Sequence, residues 1–324
     1  MVAWRTGVFH DFHVFYASAV AWHDGASPYI VPNLNPPVVV WITSPLAFFS
    51  ERTAWALWQV ANMAAFWGAL RVTTRDRPVE HETVLLYALT QASTSTQTML
   101  GQNAWLVALP LALAWQSERR DRTAQAGLWL GVALAAKPFL LPLTVCGFLV
   151  PRWRRLGLFS GLAALAITAA MVPVFGVVEY QAWLALGSGA WQTFYQPTFA
   201  SVSALLQQHA GWTPAMSVAA TLPLWLVLFW RWRRMNPDHR WMGALGAAVA
   251  TSPLGWIHYA SWMLPFAVRL PRTRLMWAGL LAGATPPLLV AGWPVLRPLY
   301  AASVLFWWAD AVLSKRPTSN DLNA

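Results

Sequence analysis

A carboxylate stands apart near the start of this chain. Most of the twelve Asp and Glu residues in its 324 positions sit beside basic clusters, but Asp11, in the run His10-Asp11-Phe12-His13-Val14-Phe15-Tyr16, does not. Such a group suits general-base work, taking the proton of a hydroxyl as that oxygen attacks an electrophilic carbon. Setting aside carboxylates near Arg clusters or the tail leaves Asp11, Asp24, Glu179 and Glu51 as candidates. A helix cap or a solvated loop residue is the other reading of Asp11. His258 lies in an apolar stretch between Trp256 and Tyr259, where an ionisable group marks either a functional site or a histidine bonded between helices. Lys137 is the single charge inside the apolar block 124–150 and precedes Pro138, which can open a helix there. It suits a lipid phosphate, or snorkels to an interface. Gln102 and Asn103 follow Gly101 and offer amides to sugar hydroxyls, or form a plain polar turn. Tyr29 suits stacking on a sugar ring or an aromatic belt, and Asn35 precedes the helix-start pair Pro36-Pro37. His10, Asp11, His13, His23 and Asp24 have types that suit zinc or manganese, but no compact ligand spacing. No metal and no cofactor is therefore expected, with a divalent ion as the alternative.

The elements that must hold these residues are membrane helices. The chain is 57% hydrophobic and 10% charged, with a mean hydropathy of +0.43, against roughly 25% charge in soluble domains. Apolar blocks recur at 36–49, 54–72, 84–100, 104–116, 124–150, 156–178, 215–230, 241–257, 259–270, 275–291 and 294–312. None shows the two-residue alternation of a barrel strand, so the expectation is an all-α polytopic membrane protein with about eight to ten transmembrane helices. The net charge of +10 lies in short Arg clusters at block edges, such as Arg119/Arg120/Arg122 and Arg231/Arg233/Arg234, which fits cytoplasmic loops and not nucleic acid. One cysteine, Cys146, excludes a disulfide framework.

Placing the Arg clusters inside puts Leu100–Asn103, residues 175–214 and Ser252–His258 on the outer side. The expected organisation is an extracytoplasmic catalytic loop with an interfacial helix over 1–35, a helical bundle over 36–312 and a polar tail over 313–324. The bundle includes an outer loop at about 175–214, carrying Glu179, Trp183, Trp191, Tyr195, Gln196, Gln207, Gln208 and His209. One conflict arises: if 36–49 and 54–72 both cross, Arg71–Arg77 falls on the side of Asp11, against the charge rule.

Five stretches together carry a family resemblance. They are Asp11-Phe12-His13-Val14-Phe15-Tyr16 with Gly25-Ala26-Ser27-Pro28-Tyr29; Asn35-Pro36-Pro37 with Ser44-Pro45-Leu46-Ala47; Gly101-Gln102-Asn103; Gly131-Val132-Ala133-Leu134-Ala135-Ala136-Lys137-Pro138; and Ser252-Pro253-Leu254-Gly255-Trp256-Ile257-His258-Tyr259. In this order the chain resembles the bacterial polyprenyl-phosphate-mannose-dependent mannosyltransferases, glycosyltransferase family 87 of the GT-C superfamily. The resemblance implies a GT-C-like bundle in the plasma (inner) membrane. It also implies transfer of a mannosyl or other hexosyl residue from a polyprenyl-phosphate donor to a glycolipid or glycan acceptor on the extracytoplasmic face. Asp11 takes the position of the catalytic carboxylate. His258 and Lys137 are expected to contact the donor phosphate from a cavity shared with Asp11, and Gln102, Asn103, Tyr29 and Asn35 to bind sugar or donor. The partners are then the donor, the acceptor and membrane lipids, with no nucleic acid. The family has a transmembrane helix before this aspartate, whereas only ten residues precede it here, so the first helix is expected to be missing, through truncation or a misassigned start, or replaced by another anchor.

A transporter or flippase is the competing class. Transporters carry inverted repeats and intramembrane charges along a path. This chain has almost no intramembrane acid, and its polar groups gather on one side, which favours an interfacial active site. An inactive family remnant is the third reading.

Overall fold

The computed structural model describes residues 10–75, 91–193, 200–267, 269, 273–286, 293–296 and 298–313. The expected polar tail lies outside these residues except for Leu313, as do Tyr195 and Gln196. The fold is all-α, with no strand among the described residues. Two compact units divide it, one formed by residues 1–76 and 93–195, the other by 77–92 and 196–324.

In the first unit, α1 (His10–His23) carries Asp11 in its first turn, where a carboxylate complements the helix dipole. Phe12 and Phe15 on its buried face pack with Ala54 and Trp58. The chain then passes α2 (Pro37–Thr43), which starts at Pro37 and runs into a 3-10 helix, Ser44–Phe48. Seven α residues and five 3-10 residues rise only about 20 Å, short of a hydrocarbon core of about 30 Å. This segment lies back along α1. His23 bonds the Ser44 carbonyl at 3.0 Å, the Tyr16 hydroxyl donates to the Phe49 carbonyl at 2.8 Å, and His13 Nδ1 meets Glu51 Oε1 at 2.7 Å. As folded, the block 36–49 is by itself too short to span such a core. α3 (Glu51–Thr74), opened by the Ser50 cap, follows; its 24 residues reach about 36 Å, enough for a full crossing.

α4 (Ala92–Leu100), α5 (Ala104–Arg119), α6 (Thr123–Ala136), α7 (Leu141–Leu149), α8 (Arg154–Phe175) and α9 (Val177–Thr193) complete this unit. The block 84–100 departs from its apolar reading: α4 carries six consecutive polar residues, Ser93 to Thr98, and Ser93, Thr94, Thr96 and Gln97 are buried. Pro138 ends α6 at Ala136, as its missing donor and ring sterics require. α6 and α8 touch closely because Gly127 and Gly131, four apart, face α8: a Cβ on Gly131 would stand 2.5 Å from the Ala163 Cβ.

α8 also reports the solvent. Only 11% of its most apolar stretch is buried, and Leu158, Leu162 and Leu165 form an outward stripe. A water-soluble helix turns such a stripe inward, so the solvent of this face is lipid. α8 and the stretch Pro214–Arg234 are the two described helices long and apolar enough to cross a membrane by that measure; Thr123–Ala136, Pro138–Leu149 and Pro298–Leu313 are shorter apolar helices.

The second unit comprises α10 (Val202–Ala210), α11 (Pro214–Arg231), α12 (Pro237–Thr251), α13 (Leu264–Ala267), α14 (Arg274–Gly283) and α15 (Pro298–Leu313). The expected outer loop at 175–214 is thus largely helical, as α9 in one unit and α10 in the other. Gly176, with φ of 80°, separates α8 from α9, and the Tyr180 hydroxyl donates to the Thr168 carbonyl at 3.0 Å, tying α9 back to α8.

Candidate active site

Six of the seven expected site residues come together in the first unit. Gly101, Gln102 and Asn103 form the turn between α4 and α5. Gly101 has φ of 69°, and a Cβ there would stand 2.6 Å from the Phe12 Cβ. Only glycine lets this turn lie against α1 beside Asp11. The Trp58 indole donates to the Gly101 carbonyl at 2.7 Å, and Gln97 Nε2 donates to the Gln102 carbonyl and to Asn62 Oδ1 (3.2 Å). The turn is thereby fixed from two helices.

From that turn two neighbouring amides reach in different directions. Gln102 Nε2 donates to Asp11 Oδ2. Asn103 Nδ2 points to Asn35 Oδ1 at 3.4 Å, and the same oxygen accepts from Lys137 Nζ at 2.9 Å. Lys137 is buried and directed into this cluster, so it does not snorkel. It stands where α6 ends, with non-helical φ of −139°. Gln102 Oε1 and Asn103 Oδ1 are buried and have no hydrogen-bond partner among the described residues.

Asn35 is held on every polar atom. Its backbone N–H and its Nδ2 both donate to Asn33 Oδ1 at 3.0 Å, its carbonyl accepts from the Tyr29 hydroxyl at 3.1 Å, and its Oδ1 faces Lys137. Asn33 Nδ2 donates in turn to Ser18 Oγ on α1 at 2.9 Å. The Tyr29 ring is packed among Val40, Phe175, Trp22 and Trp183, with 8% of the residue exposed. That is no stacking platform, and its link to the cluster runs through its hydroxyl. Burial, with the Tyr180 hydroxyl and the Glu179 carboxylate adding, pushes the Tyr29 phenol up, so it remains a neutral donor. Beside Asn103 lies an apolar cavity of about 110 Å³, lined by Val38, Ile42, Leu106, Val132 and Ile167 among others.

His258 belongs to the second unit. It lies on the 3-10 turn Ile257–Trp262 and not within a long helix, buried, with its ring 4.6 Å from Tyr259 and 5.6 Å from Trp256. Ser201 Oγ donates to the carbonyls of Ala250 (3.1 Å) and Ser252 and holds the start of this motif. Among the described residues no three His, Cys, Asp or Glu side chains gather to hold a metal ion; His13 and His23 turn to Glu51 and Ser44.

Sequence reading missed Gln97, Asn62, Asn33, Ser18 and Trp58. Polar residues inside apolar stretches, such as Asn62 in 54–72, were the available signal, since a buried amide requires partners.

Gly101→Ala is expected to destabilise the protein by about 1–3 kcal/mol, from positive φ and the Phe12 clash. Thermal unfolding in detergent reads this, and transfer activity should fall with it as α1 moves from Gln102.

The description "Glycosyltransferase family 87" matches residues 33–255. The chain belongs to this family. It is a hexosyltransferase, and the transporter alternative is set aside. The chain is similar to the polyprenol-phosphate-mannose-dependent alpha-(1-2)-phosphatidylinositol pentamannoside mannosyltransferase of Mycobacterium tuberculosis (strain CDC 1551 / Oshkosh), at 26% identity over 94% of this chain and 78% of that protein. It resembles the protein of the same description from Mycolicibacterium smegmatis (strain ATCC 700084 / mc(2)155) at 22% identity over 94% and 82%. No solved structure matches it.

Proposed function

We propose that this family 87 enzyme moves a mannosyl residue from a polyprenyl-phosphate donor to a mannosylated glycolipid on the extracytoplasmic face of the plasma membrane. The observation that carries this reading is the Gln102–Asn103 pair, which joins a carboxylate side chain, Asp11, to a buried lysine, Lys137, through Asn35. The acceptor hydroxyl oxygen attacks C1 of the sugar while the bond from C1 to the phosphate oxygen breaks. Asp11 takes the hydroxyl proton, and the electron pair of the broken bond leaves on the phosphate. A diester monoanion thereby becomes a monoester with one further negative charge, which the Lys137 ammonium offsets in surroundings of low dielectric. A single displacement inverts C1. The amide oxygens of Gln102 and Asn103 suit sugar hydroxyls, which are donors. The apolar cavity beside Asn103 suits part of the prenyl chain.

The charge rule supports the outer face. If α3 spans and 36–49, folded back along α1, does not, Arg71 and Arg75 fall on the side opposite Asp11, as the charge rule asks. The names of both relatives specify phosphatidylinositol pentamannoside, which supports a mannosylated glycolipid as the acceptor. The test is purified protein in lipid vesicles with labelled polyprenyl-phosphate-mannose and a panel of phosphatidylinositol mannosides. Label should pass to a glycolipid with the vesicle-exposed outer face supplied; transfer from a nucleotide sugar, or none from the lipid donor, would overturn the reading.

A further inference from the structure

α9 grips the strap that carries Asn35. Glu179 and Trp183, four residues apart, lie on one face of α9. Ser27 Oγ donates to Glu179 Oε2 at 2.5 Å and accepts from the Tyr29 N–H at 3.2 Å. The Trp183 indole donates to the Leu34 carbonyl at 3.0 Å. The two contacts fall at the two ends of residues 27–34, and the Tyr29 side chain between them packs on Phe175 and Val40. Asn35 is the next residue, and its Oδ1 accepts from Lys137 Nζ. Glu179 itself is half-buried in the first turn of α9, where a carboxylate is already favoured by the helix dipole. The dipole does not account for its bond to a serine 152 positions away in the chain.

We propose that Glu179 and Ser27 form a latch that positions Asn35, and through it the Lys137 ammonium, for the donor phosphate; Glu179 and Ser27 are positioning residues and touch no reacting atom. The inference rests on the function proposed above. With the latch closed, Asn35 is confined by its strap and Lys137 is held at one place. With it open, residues 27–34 keep the Trp183 contact but lose their other end, and Asn35 no longer fixes the ammonium. The requirement is an acceptor for the Ser27 hydroxyl, not a charge, because Glu179 contributes one oxygen to that bond.

The experiment compares Glu179→Ala, Ser27→Ala, the double variant and Glu179→Gln, reading kcat and KM in transfer, binding of polyprenyl phosphate alone, and thermal unfolding in detergent. Glu179→Ala and Ser27→Ala should each lower kcat and weaken polyprenyl phosphate binding about tenfold. This is the effect of losing one charge-assisted hydrogen bond. The double variant should lose no more than either single one, since both break one bond. Glu179→Gln, whose amide oxygen still accepts from Ser27, should stay within about threefold of wild type on that scale. The latch is overturned if Glu179→Gln is as impaired as Glu179→Ala, if the two single losses multiply, if both singles match wild type, or if activity falls only in step with the unfolding temperature. Binding of polyprenyl phosphate involves neither sugar nor acceptor. A wild-type protein that binds it but transfers no mannose refutes the proposed function while leaving the latch to be judged on binding.

Discussion

Asp11→Asn should abolish most transfer while the protein stays folded. The substitution keeps the size of the side chain and an oxygen for the Gln102 amide to donate to, so the turn at Gly101 has no cause to move. It removes the one property that base catalysis uses, the capacity to take a proton. Loss of a positioned general base lowers rates about 10²- to 10⁴-fold, or ~3 to 5 kcal/mol of barrier. The loss should appear in kcat, with donor binding close to wild type because the phosphate contact lies at Lys137 and not at Asp11. Unchanged turnover in Asp11→Asn would remove the carboxylate from the chemistry and leave it as a helix-terminal residue.

Lys137→Met should be the second large effect, with a different signature. Methionine fills a similar volume without a charge, and a buried cation costs desolvation energy whatever its partners. The variant is therefore expected to unfold close to the wild-type temperature, the desolvation saved offsetting the donor lost at Asn35 Oδ1. Transfer should fall about 10²- to 10³-fold, because the developing phosphate charge loses its compensating cation. Donor KM should rise as well, which Asp11→Asn does not cause. Lys137→Arg should not restore activity, since a planar guanidinium does not fit a site shaped around one ammonium and the Asn35 oxygen. A Lys137→Met protein with normal KM and kcat would show that the ammonium serves packing alone.

The parts of this site visible in the sequence are those where chemistry conflicts with surroundings. Lys137 stands out as a charge within an apolar run, and Pro138 marks the break that places it at the end of α6. Gly101 before two amides reads as a turn, and the close approach of Phe12 gives the reason. Less visible were contacts that depend on which distant segments meet. The strap at 27–34 is held by α9, about 150 positions away, and no local pattern reports that pairing. α9 was hidden for a second reason: Gly187, Ser188 and Gly189 break its apolar character, so the region reads as a loop, although Glu179 and Trp183 keep helical spacing. Tyr29 illustrates the limit of residue type. An aromatic in a polar segment suggests stacking on sugar, but its ring packs on Phe175 and its hydroxyl alone serves the cluster. For 36–49, length decides over composition: the segment is apolar enough to enter a membrane and too short to cross one.

A structure of the enzyme in lipid with a non-cleavable phosphonate analogue of polyprenyl-phosphate-mannose would decide the matter most directly. The analogue's phosphonate oxygen should lie within about 3 Å of Lys137 Nζ, with Asp11 on the face of C1 opposite the leaving group and open to an acceptor hydroxyl. An analogue bound elsewhere, with Lys137 still on Asn35 and Asp11 turned away from C1, would contradict it.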